Sequence, residues 1–258
     1  MRLVEIDGER LQLSTDEPQD VNGGTKMAIL TWQRARPNKD GASLVAKGVL
    51  IMHGTGNERP LMRLVVGMTG ATGAAIGIRL LEVLGTLNVE THLVLSQWAR
   101  ATIEMETGNT VRQVQALATR SYGHQEQTAA ISSGSFRTDG MIIAPCSMKT
   151  LAAVRIGFGE GLIARAADVT LKERRRLVLV PRETPLSEIH LENMLALARM
   201  GAVMVPPMPA FYNRPAGLSD IVDHSVARVL DQFGLETDLT KRWEGPTTAR
   251  ATEKERIL

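Results

Sequence analysis

Arg63-Leu-Val-Val-Gly-Met-Thr-Gly-Ala-Thr-Gly-Ala-Ala-Ile-Gly77 decides how the rest of this chain is read. It predicts a short buried strand from Leu64 to Met68, a turn of Thr69, Gly70, Ala71, Thr72 and Gly73, and a helix running to about Leu84. Glycines at such a turn let the backbone come close to a ligand. The start of a helix offers free N–H groups and a partial positive charge, so a phosphate is its natural guest. The same glycines also serve plain close packing of helix on strand, and the turn alone leaves both readings open.

The remainder of the chain narrows the choice. Its 258 residues suit one ordinary domain with appendages, or two small ones. With 43% hydrophobic residues, 22% charged and a formal net charge of +2, it lacks the basic excess of a nucleic-acid binder. A single cysteine, Cys146, excludes an intrachain disulfide and a multi-cysteine metal site. No apolar run approaches the roughly 20 residues of a membrane span, so a cytoplasmic protein is expected.

Residues 1–61 are polar and turn-rich, and only Met27 to Trp32 and Ser43 to Met52 look strand-like. They are read as an N-terminal extension, or as a segment preceding a biological start at Met62. Residues 62–245 alternate apolar runs (Leu64–Met68, Thr91–Leu95, Met141–Ala144, Leu177–Val180, Ala202–Val205) with helical stretches. That cadence predicts an α/β fold, a mostly parallel sheet with helices on both faces. Leu191, Met194, Leu195 and Ala198 mark an apolar face on one helix, capped by Ser187 and ended by Gly201. Ile221 to Phe233 form the last helix, and residues 246–258 read as a charged C-terminal tail.

A nicotinamide site requires an acidic residue at the end of the second strand, where this chain has Leu95-Ser96. Neither Tyr122 nor Tyr212 heads a Tyr-x-x-x-Lys pair. A hydroxyl in place of the acid suits a ligand presenting a single phosphate, as a mononucleotide does. The third strand ends in Ala144-Pro-Cys-Ser-Met-Lys-Thr150, which brings hydroxyls and a lysine over the strand ends. Arg165 and Lys172 share a helical face, and Pro181-Arg182-Glu183 ends the next strand, so a second anion is expected beside the first ligand, with Glu183 read either as a proton carrier or as the partner of a structural ion pair with those cations. Arg174 to Arg176 read as a solvated helix end, and Cys146 as a small buried filler. No metal-ligand spacing links His53, His92, His124, His190 and His224.

These motifs, with Gly67-Met-Thr-Gly-Ala-Thr-Gly73, Ile189-His-Leu-Glu-Asn-Met194 and Pro206-Pro-Met-Pro-Ala-Phe-Tyr212, resemble the UbiX-type flavin prenyltransferases. Within these they resemble the B subunits of phenolic acid (hydroxyarylic acid) decarboxylase systems, which share Ile131-Ser-Ser-Gly-Ser-Phe136. The resemblance runs from Met62 to about Gly245. It implies a three-layer Rossmann or flavodoxin-like fold that joins a dimethylallyl group from dimethylallyl phosphate to N5 and C6 of reduced FMN, without metal, for a UbiD-type decarboxylase.

By the same resemblance, Gly70, Ala71, Thr72, Ser96, Ser147, Met148, Lys149, Thr150 and Arg182 contact FMN. Tyr212, Arg228, Lys172 and Arg182 hold the prenyl phosphate. Glu106 and Glu183 are acidic active-site residues, Lys172 shares the catalytic work, and Arg165 lies near a subunit interface. Relatives assemble as dodecamers with sites at subunit contacts. Trp98 is read either as a π-surface near the reacting groups or as simple packing. The alternatives are a flavin-dependent decarboxylase acting on its own and a non-catalytic flavin-binding subunit of a decarboxylase assembly.

Overall fold

The computed structural model describes residues 62–243 and 245 in full and, ahead of them, the backbone of five strands. The chain divides into two compact units, Met1–Pro60 and Leu61–Leu258. The first carries β1 (Arg2–Ile6), β2 (Glu9–Thr15), β3 (Gln19–Val21), β4 (Thr25–Pro37) and β5 (Ser43–Met52). All their pairings are antiparallel. β4 and β5 contain the two runs that read as strands in the sequence; the three shorter strands lie in its polar, turn-rich part. The charged tail from residue 246 lies outside the described residues.

The second unit is built on six parallel strands: β6 (Arg63–Met68), β7 (Glu90–Leu95), β8 (Arg120–Tyr122), β9 (Gly140–Cys146), β10 (Arg176–Pro181) and β11 (Val203–Met204). Their spatial order is β11-β10-β9-β6-β7-β8, the doubly wound Rossmann order. Side chains alternate between the two faces of a strand, and here both faces are covered. Leu64, Val66 and Met68 of β6 pack on one side with α1 (Ala74–Thr86), α2 (Gln97–Glu106), α3 (Val111–Ala116) and α7 (Leu218–Asp231). Val65, Met141 and Ile143 pack on the other with α4 (Met148–Arg155), α5 (Leu162–Lys172) and α6 (Glu188–Arg199). The result is the expected three-layer α/β arrangement.

α1 lies unusually close to the sheet. A Cβ at Gly77 would meet the Ala144 carbonyl oxygen at 2.5 Å, so this helix turn requires glycine to rest against β9. α6 departs from its sequence reading. Ser187 caps it as expected, accepting from the His190 N–H, and Gly201 follows it with φ +97°. The sheet-facing contact, however, is Leu197 with half-buried Met194, while Leu191 and Leu195 are each 52% exposed. The apolar stripe of this helix therefore points partly outward. Arg175 is also not a solvated helix end, because its guanidinium is mostly buried, donating to the Gly134 and Phe136 carbonyls.

Candidate active site

The chain steps from β6 outward through β7 to β8, then returns to the other side of β6 to begin β9. Between the carboxyl ends of β6 and β9 the two loops diverge and leave a crevice, the place where ligands bind in open α/β sheets. One buried hydroxyl ties its walls together. Thr69 Oγ1 donates to the Pro145 carbonyl (2.8 Å) and accepts from the Ser147 N–H (2.7 Å).

A cavity of about 340 Å³ opens at this point, lined by Gly70, Ser96, Ser147, Lys149 and Thr150 among others. Ser96 is the N-cap of α2, accepting from the Ala99 N–H at 3.1 Å. Ser147 is the N-cap of α4, accepting from the Thr150 N–H at 3.3 Å. Two helix starts thus border one cavity with Lys149 beside them, a donor set suited to an anion. Gly70 sets the width, since a Cβ there would fall 2.2 Å from the Trp98 Cβ. Trp98 lines the cavity and is largely exposed, so the reading of it as simple packing does not hold in the single chain.

Sequence reasoning missed His124, which follows the three-residue edge strand β8 and also lines the cavity. Burial, then the charges of Lys149 and Arg100, push its imidazole below the usual histidine range, so it is neutral near pH 7. A strand of Arg120-Ser121-Tyr122 gives no apolar run to reveal it.

Beside the cavity the start of α1 is already taken. Glu106, at the end of α2, accepts from the Gly73 N–H at 2.8 Å and the Ala74 N–H at 3.0 Å. The phosphate expected on these amides would meet a carboxylate instead, and the anion-suited position moves to α4. Burial opposes ionisation of Glu106, but hydrogen bonds from Thr72, Ala74 and Gly73, with the charge of Arg182, together hold its carboxyl below the usual range. Thr72, Glu106 and Arg182 therefore form one corner. A folded-state pKa that is depressed adds stability above the unfolded value, and this is lost as pH falls through the folded value. Glu106→Gln is accordingly expected to lower the melting temperature at pH 6 and to differ less from the parent at pH values below 4.5. Melting curves at the two pH values check this, and an equal difference at both would be contrary to it.

Other expected site residues lie apart from the cavity. Ala71 is buried, and Met148 packs against the core beneath α4. Glu183 stands exposed after β10, its Oε1 accepting from the Thr184 N–H at 3.1 Å; among the described residues it has no cation at ion-pair distance. Arg165 donates to the Ser132 carbonyl and pairs with Asp168 at 2.8 Å. Tyr212 lies in a single 3-10 turn (Phe211–Asn213), its ring 6.2 Å from that of His224, one helical turn before Arg228 on α7.

Lys172 corrects the expectation of one cation cluster within the chain. It ends α5 at the amino end of β10, paired with Glu173 at 2.5 Å and beside Gly134, whereas Arg182 follows the carboxyl end. The six residues of β10 separate them by about 20 Å. Lys172 and Arg228 also belong to helices on opposite faces of the sheet. Helical spacing placed Lys172 on the face of Arg165 but could not show which end of the strand that face reaches.

Strand order, crevice and an anion-suited cavity together have the layout of a nucleotide-binding α/β protein. A family model described as Flavoprotein matches residues 54–230. A Streptomyces sp. (strain D7) protein called a probable UbiX-like flavin prenyltransferase is 69% identical over 194 residues, 75% of this chain and 97% of its own length. The solved structure of a dodecameric FMN-dependent UbiX-like decarboxylase from Escherichia coli O157:H7 is 66% identical and covers 71% of this chain and 100% of its own, with TM-score 0.71. That of AnUbiX (PadA1), in complex with FMN and dimethylallyl pyrophosphate, is 58% identical and covers 72% of this chain and 100% of its own, with TM-score 0.72. The chain belongs to the Flavoprotein family and, within it, to the UbiX-type flavin prenyltransferases. No helix among the described residues is long and apolar enough to cross a membrane.

Proposed function

We propose that this chain joins the dimethylallyl group of dimethylallyl phosphate to N5 and C6 of reduced FMN and supplies the prenylated flavin to a UbiD-type decarboxylase in the cytoplasm. The observation that carries the proposal is the cavity between β6 and β9, bordered by two helix starts and Lys149 and adjoined by the Thr72, Glu106 and Arg182 corner. The names of the relatives, and the ligands in the neighbour's name, support it.

In this reading Gly70, Ser96, Ser147, Lys149 and Thr150 hold FMN, with Thr72 and Arg182 at its border. The reduced flavin, when bound, supplies the nucleophile. Arg182, Lys172, Tyr212 and Arg228 meet the donor phosphate, where positive charge and hydrogen-bond donors stabilise the group as it departs. Glu183 moves a proton during ring closure, and Glu106 stays ionised where it fixes the turn. Trp98 offers an apolar surface that excludes water.

Because Lys172 and Arg182 stand at opposite ends of β10, the complete site takes residues from more than one copy of the chain. The outward stripe of α6 and exposed Trp98, Met105 and Phe211 provide apolar surface for such contacts. A homo-oligomer, dodecameric like the Escherichia coli protein, meets the requirement. Purified protein, FMN, a reductant and dimethylallyl phosphate under anaerobic conditions are expected to yield prenylated flavin by mass spectrometry. Unmodified FMN, with an active control enzyme alongside, would sink the proposal. The name of the Escherichia coli neighbour favours a second reading, decarboxylation by this chain itself; carbon dioxide released from an aromatic acid without a partner protein would support that instead.

A further inference from the structure

The segment Leu235–Trp243 follows α7 and lies against the residues assigned to the donor phosphate. Leu235 and Leu239 pack on the core of the α1 and α7 face. Thr240 Oγ1 accepts from Asn213 Nδ2 at 2.9 Å, beside Tyr212, and the Trp243 ring stands 5.6 Å from the Tyr212 ring at 74°. Arg242 forms a bidentate pair with Asp231: Nη2 donates to Oδ1 at 2.6 Å and Nη1 to Oδ2 at 3.0 Å. Oδ2 also accepts from Arg228 Nη1 at 2.6 Å. Two guanidiniums therefore share one carboxylate whose side chain is only 17% exposed.

We infer that Arg242 is a positioning residue for the prenyl donor, acting through Asp231 on Arg228. The inference rests on the reading of Arg228 as a donor-phosphate residue. An incoming phosphate competes with Asp231 for Arg228. With Arg242 in place, Asp231 keeps both of its oxygens paired after Arg228 leaves, so the exchange strands no part-buried charge. Without Arg242, Arg228 is the only cation paired with this carboxylate among the described residues, and drawing it away leaves Asp231 unpaired. The segment thus fixes how readily Arg228 changes partner. Its contacts through Thr240 and Trp243 hold Tyr212 on the same side.

The test uses the full chain with reduced FMN saturating and dimethylallyl phosphate varied. Arg242→Ala is expected to raise KM for the donor by about threefold to fivefold, the scale of one partly exposed ion pair, with kcat nearly unchanged. Arg242→Lys, which keeps the charge but loses the fork, is expected to fall between. In an Asp231→Asn background, Arg242→Ala is expected to leave KM unaltered, because the carboxylate that couples the two arginines is gone. The same rise in both backgrounds, or none in either, overturns the inference. Arg228→Ala separates the two levels. If it raises KM while Arg242→Ala does not, the coupling fails and the donor assignment stands. If Arg228→Ala leaves KM unchanged, the donor assignment falls and this inference falls with it.

Discussion

Replacing Glu183 by Gln is expected to lower turnover by about 10²- to 10⁴-fold, the range for a positioned acid-base group, with FMN affinity nearly unchanged. The side chain stands beyond the carboxyl end of β10 and reaches only its neighbour's N–H, so Gln keeps the acceptor oxygen and the shape but cannot move the proton. Its position outside the cavity lining is why binding is spared. Single-turnover formation of prenylated flavin, measured by mass beside a flavin titration, separates the two effects. Undiminished turnover would remove Glu183 from the mechanism, and lost FMN binding would reassign it to holding the flavin.

The second large effect comes from mixing two damaged chains. With Lys172 and Arg182 assigned to the donor phosphate as proposed, Lys172→Ala and Arg182→Ala are each expected to lose most of their turnover. Co-expressed in one cell with different tags, they form mixed oligomers. If a site takes Lys172 from one copy and Arg182 from another, about a quarter of the sites in a random mixture contain both native residues. Activity of the doubly tagged oligomer is then expected to recover to about a quarter of the parent value. A chain that built its site alone would give no recovery, since every copy lacks one of the two groups. The roughly 20 Å of strand between these residues argues for recovery.

What the sequence could reveal follows the range of the forces involved. The β6 turn and the α1 helix were legible because strand, glycine turn and helix start are local patterns, and the recurring apolar runs placed four more strands. β8 escaped because three polar or half-buried edge residues carry no hydrophobic signal, and His124 was lost with it. The phosphate expected at the start of α1 gives way to Glu106, which lies 33 residues from Gly73 and meets it only after α2 folds back. No local pattern announces such a partner. Lys172 shows a different limit: periodicity fixes the face of a helix, whereas its end of the sheet depends on the direction in which the helix returns. The α6 stripe was recognised as apolar, but apolarity does not distinguish a face turned to the core from one left exposed.

Cys146 ends β9 at the wall of the crevice, with no exposed surface, and burial pushes its thiol up to about 12. The thiolate is the reactive form, so near neutral pH the folded chain is protected against alkylation both by shape and by protonation. It is also the only cysteine in the sequence. Uptake of one alkyl group per chain therefore times the opening of the central strand itself, and slower uptake with FMN present would measure how strongly the ligand holds that strand closed.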